Sequence, residues 1–192
     1  MQQLLTEIRS CDYCKQHLPL PPRPILAAAS QSKIIIIGQA PGKKAHEQNM
    51  AWDDASGKRL KLWLGVNDTT FYNPANFAIL PMGFCYPGKA KTGDLPPRIE
   101  CAPRWHQQVW DELKNVQLTV IIGKYAQDYY LGDKSKKNLT QNVSHYKEFL
   151  PEIIPLPHPS PVNRFWFAKN KWFEETVVPD LQSRIAQILK NN

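Results

Sequence analysis

Cys11 and Cys14 form a C-x2-C pair, and Cys85 and Cys101 follow far downstream. Thiolates bind soft metals, and four of them suit a structural zinc or an iron–sulfur cluster. Four unrelated buried thiols is a third reading, and composition alone does not choose among the three. A second chemical feature lies near the other end, in "IIPLPHPSPVNRFW" from Ile153 to Trp166. Pro157 and Pro159 flank His158, and Pro161 follows. Proline fixes φ and lacks an amide donor, so this stretch is neither helix interior nor central strand. It is a stiff loop that presents one histidine and then a basic, aromatic segment. The plain structural role for His158 is capping of backbone carbonyls. A third feature is "GQAPG", Gly38 to Gly42, a tight turn through which backbone could approach a ligand closely. Alone it is also what an ordinary strand-ending turn would contain.

These residues need elements to position them. Lys33 to Ile37, "KIIII", is a continuous β-branched run ending at Gly38, the pattern of a strand buried on both faces. Phe77 to Leu80, Leu118 to Ile122 and Ile153 to Leu156 read the same way. Helical spacing appears between and after them, in Gly57 to Leu64, Pro103 to Leu113, Lys124 to Leu131 and roughly Pro179 to Lys190. Alternating strands and helices predict an α/β fold with a short parallel sheet, and ligands bind outside the carboxyl ends of such strands. "GQAPG", "PMGFCYPG" and "PHPSP" all begin there. Proline-rich "LPLPPRP" (18–24) reads as an extended connector.

The 192 residues suit a single domain spanning 1–192. With 24 Lys+Arg against 17 Asp+Glu, the net charge of +7 favours an acidic partner such as nucleic acid. No apolar run approaches a membrane span, and the N-terminus lacks a secretory signal, so a cytoplasmic protein is expected. Cysteines in that setting favour metal or redox chemistry over disulfides.

Taken together, the C-x2-C, the strand ending in a G-[EQ]-x-P-G loop, the second cysteine pair and the late H-P-S-P loop resemble the uracil-DNA glycosylase superfamily. The likeness is greatest to its iron–sulfur branch, family 4, and runs from Cys11 to about Trp172. It implies a three-layer α/β/α sandwich around a short, mostly parallel four-stranded sheet. It implies Cys11, Cys14, Cys85 and Cys101 as ligands of a [4Fe–4S] cluster, with zinc as the alternative. It implies a monomer that acts on DNA containing a damaged base, flipping the nucleotide and hydrolysing its N-glycosidic bond. His158 would stabilise the departing base, while Gly38, Ala40, Trp52 and Pro81 would bind it and Gln39 would orient water. Trp52 matches a Phe that stacks on uracil in that branch. Ser160, Val162, Asn163 and Arg164 would contact DNA, Val162 as a wedge into the gap and Arg164, with Lys169 and Lys171, on phosphates. Among Phe165, Trp166, Phe167 and Trp172, at least two are expected to serve core packing.

Two positions depart from the branch. Pro81 stands where an Asn commonly reads the uracil edge, and Pro has no side-chain donor or acceptor. Gln39 stands where Glu is usual, and an amide cannot take a proton from water. Asp53 is the candidate carboxylate for that task, with Asp54, His46 or Glu47 as stand-ins. These departures keep a second expectation open, a superfamily member that binds nucleic acid without excising bases. A third is an unrelated zinc-stabilised α/β protein.

Overall fold

The computed structural model describes residues 1–190. In chain order the elements are α1 (Gln2–Arg9), β1 (Ile34–Ile37), α2 (Lys43–Gln48), α3 (Ala55–Leu64), α4 (Asp68–Phe71), β2 (Phe77–Ile79), α5 (Cys101–Glu112), β3 (Leu118–Ile122), α6 (Lys124–Leu131), α7 (Leu139–Ser144), β4 (Ile153–Leu156), α8 (Arg164–Lys169) and α9 (Val178–Lys190). The four strands form one sheet in the order β2-β1-β3-β4, and every pairing is parallel.

Alternation along each strand divides the core into two layers. Ile34 and Ile36 of β1, with Leu118, Val120 and Ile122 of β3, face Leu60, Trp63 and Leu64 of α3 and Leu181 and Ile185 of α9. Ile35 and Ile37, with Ile121, face Leu5 and Ile8 of α1, Trp105 and Val109 of α5, and Ala126 and Leu131 of α6. All four isoleucines of β1 are fully buried. At roughly 1.5–3 kcal/mol for each side chain removed from water, this strand is a main anchor of the fold. The architecture is the expected α/β/α sandwich, with the sheet wholly parallel.

Both sheet edges follow from chain chemistry. Pro155 lacks a donor, and it sits on edge strand β4, paired only toward β3 opposite Ile121. The other edge, β2, is covered by the segment that follows the proline-rich connector: Ala27 and Ile79 exchange antiparallel backbone hydrogen bonds of 3.0 and 2.7 Å. Between β1 and β2 the chain crosses to one side, and the next crossover returns it past β1 to β3. The carboxyl ends of β1 and β3 therefore flank the point where strand order reverses, which is where ligands sit in such sheets.

The helices predicted from periodicity all form, with α3 and α5 each starting two residues early, at Ala55 and Cys101. Short helices at 2–9, 43–48, 139–144 and 164–169 carry no clear sequence signal. The last of these changes the expected basic, aromatic segment: after a 3-10 turn at Pro161–Asn163 it is α8.

Candidate active site

The loops at the carboxyl ends of the strands enclose a cleft of about 420 Å³. Gly38, Gln39, Ala40, Trp52 and Pro81 line it, and so do His158, Ser160, Val162 and Asn163. The three loops expected to converge thus share one cavity. Asp54, Ser56 and the stretch Thr92–Leu95 line it as well.

Trp52 is held as a wall of this cleft by two glycines. Its backbone has φ 59°, an uncommon conformation for a residue with a side chain. A Cβ on Gly38 would lie 2.7 Å from the indole Cζ2, so only glycine lets the ring lie over the first loop. A Cβ on Gly57 would fall 1.7 Å from the Trp52 carbonyl oxygen. The indole and the His158 imidazole have centroids 5.8 Å apart and are tilted by 32°.

His158 sits at the foot of the proline-stiffened loop after β4. Its Nδ1 accepts a hydrogen bond from the Ser160 amide at 3.2 Å, and the Asn163 side-chain amide donates to the His158 carbonyl at 2.8 Å. An Nδ1 that accepts an amide places the single proton of a neutral ring on Nε2. Burial lowers the His158 pKa from 6.5 to about 4, and the negative charge of Asp54 opposes that fall. The ring is neutral at pH 7, with a fixed Nε2–H donor that no described protein group engages.

Asp54 owes its place to helix capping. "DDASG" puts it at the N-cap of α3, where Oδ1 accepts from the Gly57 amide at 2.8 Å. Its second oxygen has no hydrogen-bond partner among the described residues. Asp53 points elsewhere: it pairs with Lys44 at 3.8 Å and is not among the cleft-lining residues. The expectation that Asp53 serves the cleft gives way to its neighbour, because the cap geometry turns Asp54 inward. Glu47 pairs with Lys43 on the surface, and His46 packs against Tyr86. Gln39 lies against Gly123, where a Cβ would fall 2.8 Å from its Nε2. This contact ties the loop after β1 to the loop after β3 at the strand-order reversal.

Pro81 forms part of the wall, and its carbonyl is already engaged. Buried His106 donates from Nε2 to Pro81 O at 3.1 Å. The His106 Nδ1 meets the Tyr130 hydroxyl at 2.5 Å, and Trp110 Nε1 donates to that hydroxyl at 3.3 Å. Burial lowers the His106 pKa to about 4 and raises that of Tyr130, so both groups are neutral and each hydrogen bond in the chain has a defined direction.

A hairpin from Gly88 to Leu95 forms the rim. Leu95 donates to the Gly88 carbonyl at 2.8 Å and Ala90 to Gly93 at 3.0 Å, while Gly88 and Gly93 take positive φ. Sequence reading missed this hairpin; its signals were the Pro-Gly and Thr-Gly dipeptides at 87–88 and 92–93.

At the cleft mouth, Val162 in the 3-10 turn and Phe165 in α8 are 76% and 68% exposed, and Arg164 stacks 4.8 Å above the Phe165 ring. Trp166, Phe167 and Trp172 pack against the core. Three of the four aromatics are therefore structural and one is presented to solvent.

The four cysteines are free thiols from the α1 end, the loop after β2 and the first residue of α5. Among the described residues, no three Cys, His, Asp or Glu side chains are gathered tightly enough to hold a single metal ion. The thiols nonetheless feel one another's charge: Cys101 would be raised by thiolates at Cys14, Cys85 and Cys11. Burial pushes Cys85 up to about 11 and Cys101 up to about 12. Opposing this, the backbone at Arg23 lowers Cys85 and the backbone at Phe84 lowers Cys101.

The family model for the uracil DNA glycosylase superfamily matches residues 26–182. Among solved structures, the chain is similar to the solution NMR structure of a candidate uracil DNA glycosylase from Methanosarcina acetivorans. That match has 13% identity and a TM-score of 0.48 and covers 86% of this chain and 98% of that one.

Proposed function

The chain belongs to the uracil DNA glycosylase superfamily, and from that premise we propose that it is a monofunctional DNA glycosylase that excises uracil or a related damaged base. The observation that carries this reading is neutral His158, with its Nε2–H donor beside Trp52 and Asp54 in one cleft. A flipped base would stack on the Trp52 indole. As the bond from C1′ to the base nitrogen breaks, its electron pair passes to the base and negative charge gathers on the adjacent carbonyl oxygen. His158 Nε2–H donates to that oxygen, and the preceding prolines keep the donor fixed, so little reorganisation is needed. The sugar becomes cation-like, and a water attacks C1′. The free oxygen of Asp54 accepts the water's proton, and Gln39 orients the water. The products are a free base and an abasic site.

Exposed Val162 and Phe165 support contact with the gap left in the duplex, and Arg164 with phosphate. Cys11, Cys14, Cys85 and Cys101 would hold a [4Fe–4S] cluster, as in the iron–sulfur branch. There it would serve structurally, tying the N-terminal segment to the loop after β2 and to α5. No helix among the described residues is long and apolar enough to cross a membrane.

A second reading, a member that binds DNA without excision, is favoured by one observation: the first loop offers Gln39 and Ala40 and no carboxylate. The deciding experiment is single-turnover excision from a panel of single-lesion oligonucleotides, with alkaline cleavage of the product. Wild type should release at least one base, and His158→Ala should be on the order of 100- to 1000-fold slower with DNA affinity retained. No excision from any lesion would overturn the enzymatic reading in favour of the binding one.

A further inference from the structure

We infer that Asp94, on the rim hairpin, makes the cleft select a 2-oxopyrimidine that carries an amino group in place of an oxygen at C4, the chemistry of an oxidised cytosine. The inference rests on the glycosylase reading above and adds its substrate class.

The reasoning begins with what Pro81 withholds. It has no amide hydrogen and no polar side chain, and its carbonyl is occupied by His106 Nε2 at 3.1 Å. That histidine is held in turn by Tyr130 and Trp110, so the carbonyl is not free to turn into the cleft. At Pro81 the wall therefore supplies no donor, and its one acceptor is already engaged.

Polar groups must come from elsewhere, and the hairpin brings Asp94. Its Oδ2 lies against the end of the first loop: a Cβ on Gly42 would stand 3.3 Å from it, so glycine at 42 admits the carboxylate. Among the described residues no Lys or Arg forms an ion pair with Asp94, though Lys89 across the hairpin acts on it through space.

With Asp54 assigned to the water, the cleft offers the base a donor, His158 Nε2–H, and an acceptor, the Asp94 carboxylate. An ionised carboxylate can only accept hydrogen bonds. A 2-oxo-4-amino pyrimidine is the complement, with an acceptor at O2 for His158 and a donor at N4 for Asp94. Uracil presents acceptors at both places, and its O4 would face a carboxylate across the cleft. Two acceptors face to face repel, so the arrangement disfavours uracil as well as favouring its amino counterpart.

The test uses a matched pair of duplex oligonucleotides carrying 5-hydroxycytosine or 5-hydroxyuracil, which share O2 and the 5-hydroxyl and differ in the group at C4 and the proton on N3. Single-turnover rates are measured for wild type and Asp94→Asn. Taking the ratio of the two rates within each protein, and comparing proteins, cancels the intrinsic difference in leaving ability. Asp94 is exposed on the hairpin, so the variant should fold. An amide can donate to O4, so the preference for the 4-amino base should fall at least about tenfold in Asp94→Asn. Unchanged ratios, with both bases released, would overturn the inference and leave the glycosylase standing. Release of no base by wild type, across the wider lesion panel as well, would overturn both.

Discussion

Titration of buried His106 should make this protein's stability fall as pH drops from 6.5 toward 4. A neutral ring held between Pro81 O and the Tyr130 hydroxyl has its pKa lowered from 6.5 to about 4 by burial. The unfolded chain therefore binds more protons at this site than the folded one between those values. The contribution is fully present above pH 6.5 and is lost as pH falls toward 4. At about 1.4 kcal/mol per pH unit the whole effect is about 3 kcal/mol, with about 2.5 kcal/mol already gone at pH 4.5. A single domain is commonly stable by only 5–15 kcal/mol, so this is a large part. The assay is urea unfolding of wild type and His106→Leu at intervals from pH 7.5 to 4.5. At pH 7.5 the variant should be less stable by about 1–3 kcal/mol, because the Pro81 carbonyl and Tyr130 hydroxyl lose their partner. As pH falls the gap should close or reverse, since leucine has nothing to titrate. His158, also lowered to about 4, is present in both proteins and cancels. Carboxylates lowered by ion pairing, such as Glu100 beside Arg98, lose their contribution below their ordinary 4.5 and lie outside the window. Parallel profiles for the two proteins would refute the reasoning.

Three further outcomes are expected. Cys85→Ser should reduce iron content, absorbance near 400 nm and folded yield together; full retention of all three would remove the cluster from the proposal. Affinity for DNA should fall steeply with added salt, and Arg164→Ala should weaken binding to all sequences alike with a shallower salt slope, measured by fluorescence anisotropy. Gly57→Ala should lower the melting temperature despite the better helix propensity of alanine. A Cβ 1.7 Å from the Trp52 carbonyl must displace backbone, and overpacking of this kind costs about 1–3 kcal/mol against about 1 kcal/mol gained.

Much of the frame was legible in the chain. The four apolar runs became the four strands because a sheet buried on both faces demands unbroken β-branched sequence, and "IIII" has no other comfortable place. The cleft-lining place of Gly38 and His158 was readable because loops after parallel strands converge, whereas that of Trp52 came from the family resemblance. What was not legible depended on orientation. Nothing in "DD" tells which aspartate faces inward; the helix start decides it, by turning Asp54 into the cap and leaving Asp53 to Lys44. The His106 chain joins residues 81, 106, 110 and 130, partners fixed only by tertiary packing. The short helices escaped because six residues give too little periodicity to distinguish from a loop.

The double duty of Asp54 bears on how such a protein drifts. One oxygen begins α3 while the other is left for the cleft. Alanine there would forfeit the cap, at about 1 kcal/mol, and would be selected against for foldedness alone. Asparagine caps a helix as well as aspartate does, yet it can take no proton from water. A single-residue change could therefore silence the proposed chemistry with no penalty in folding, leaving the proposed DNA-binding shell intact. A lineage built this way could pass from enzyme to binding protein without crossing an unstable intermediate, and only an excision assay would reveal it.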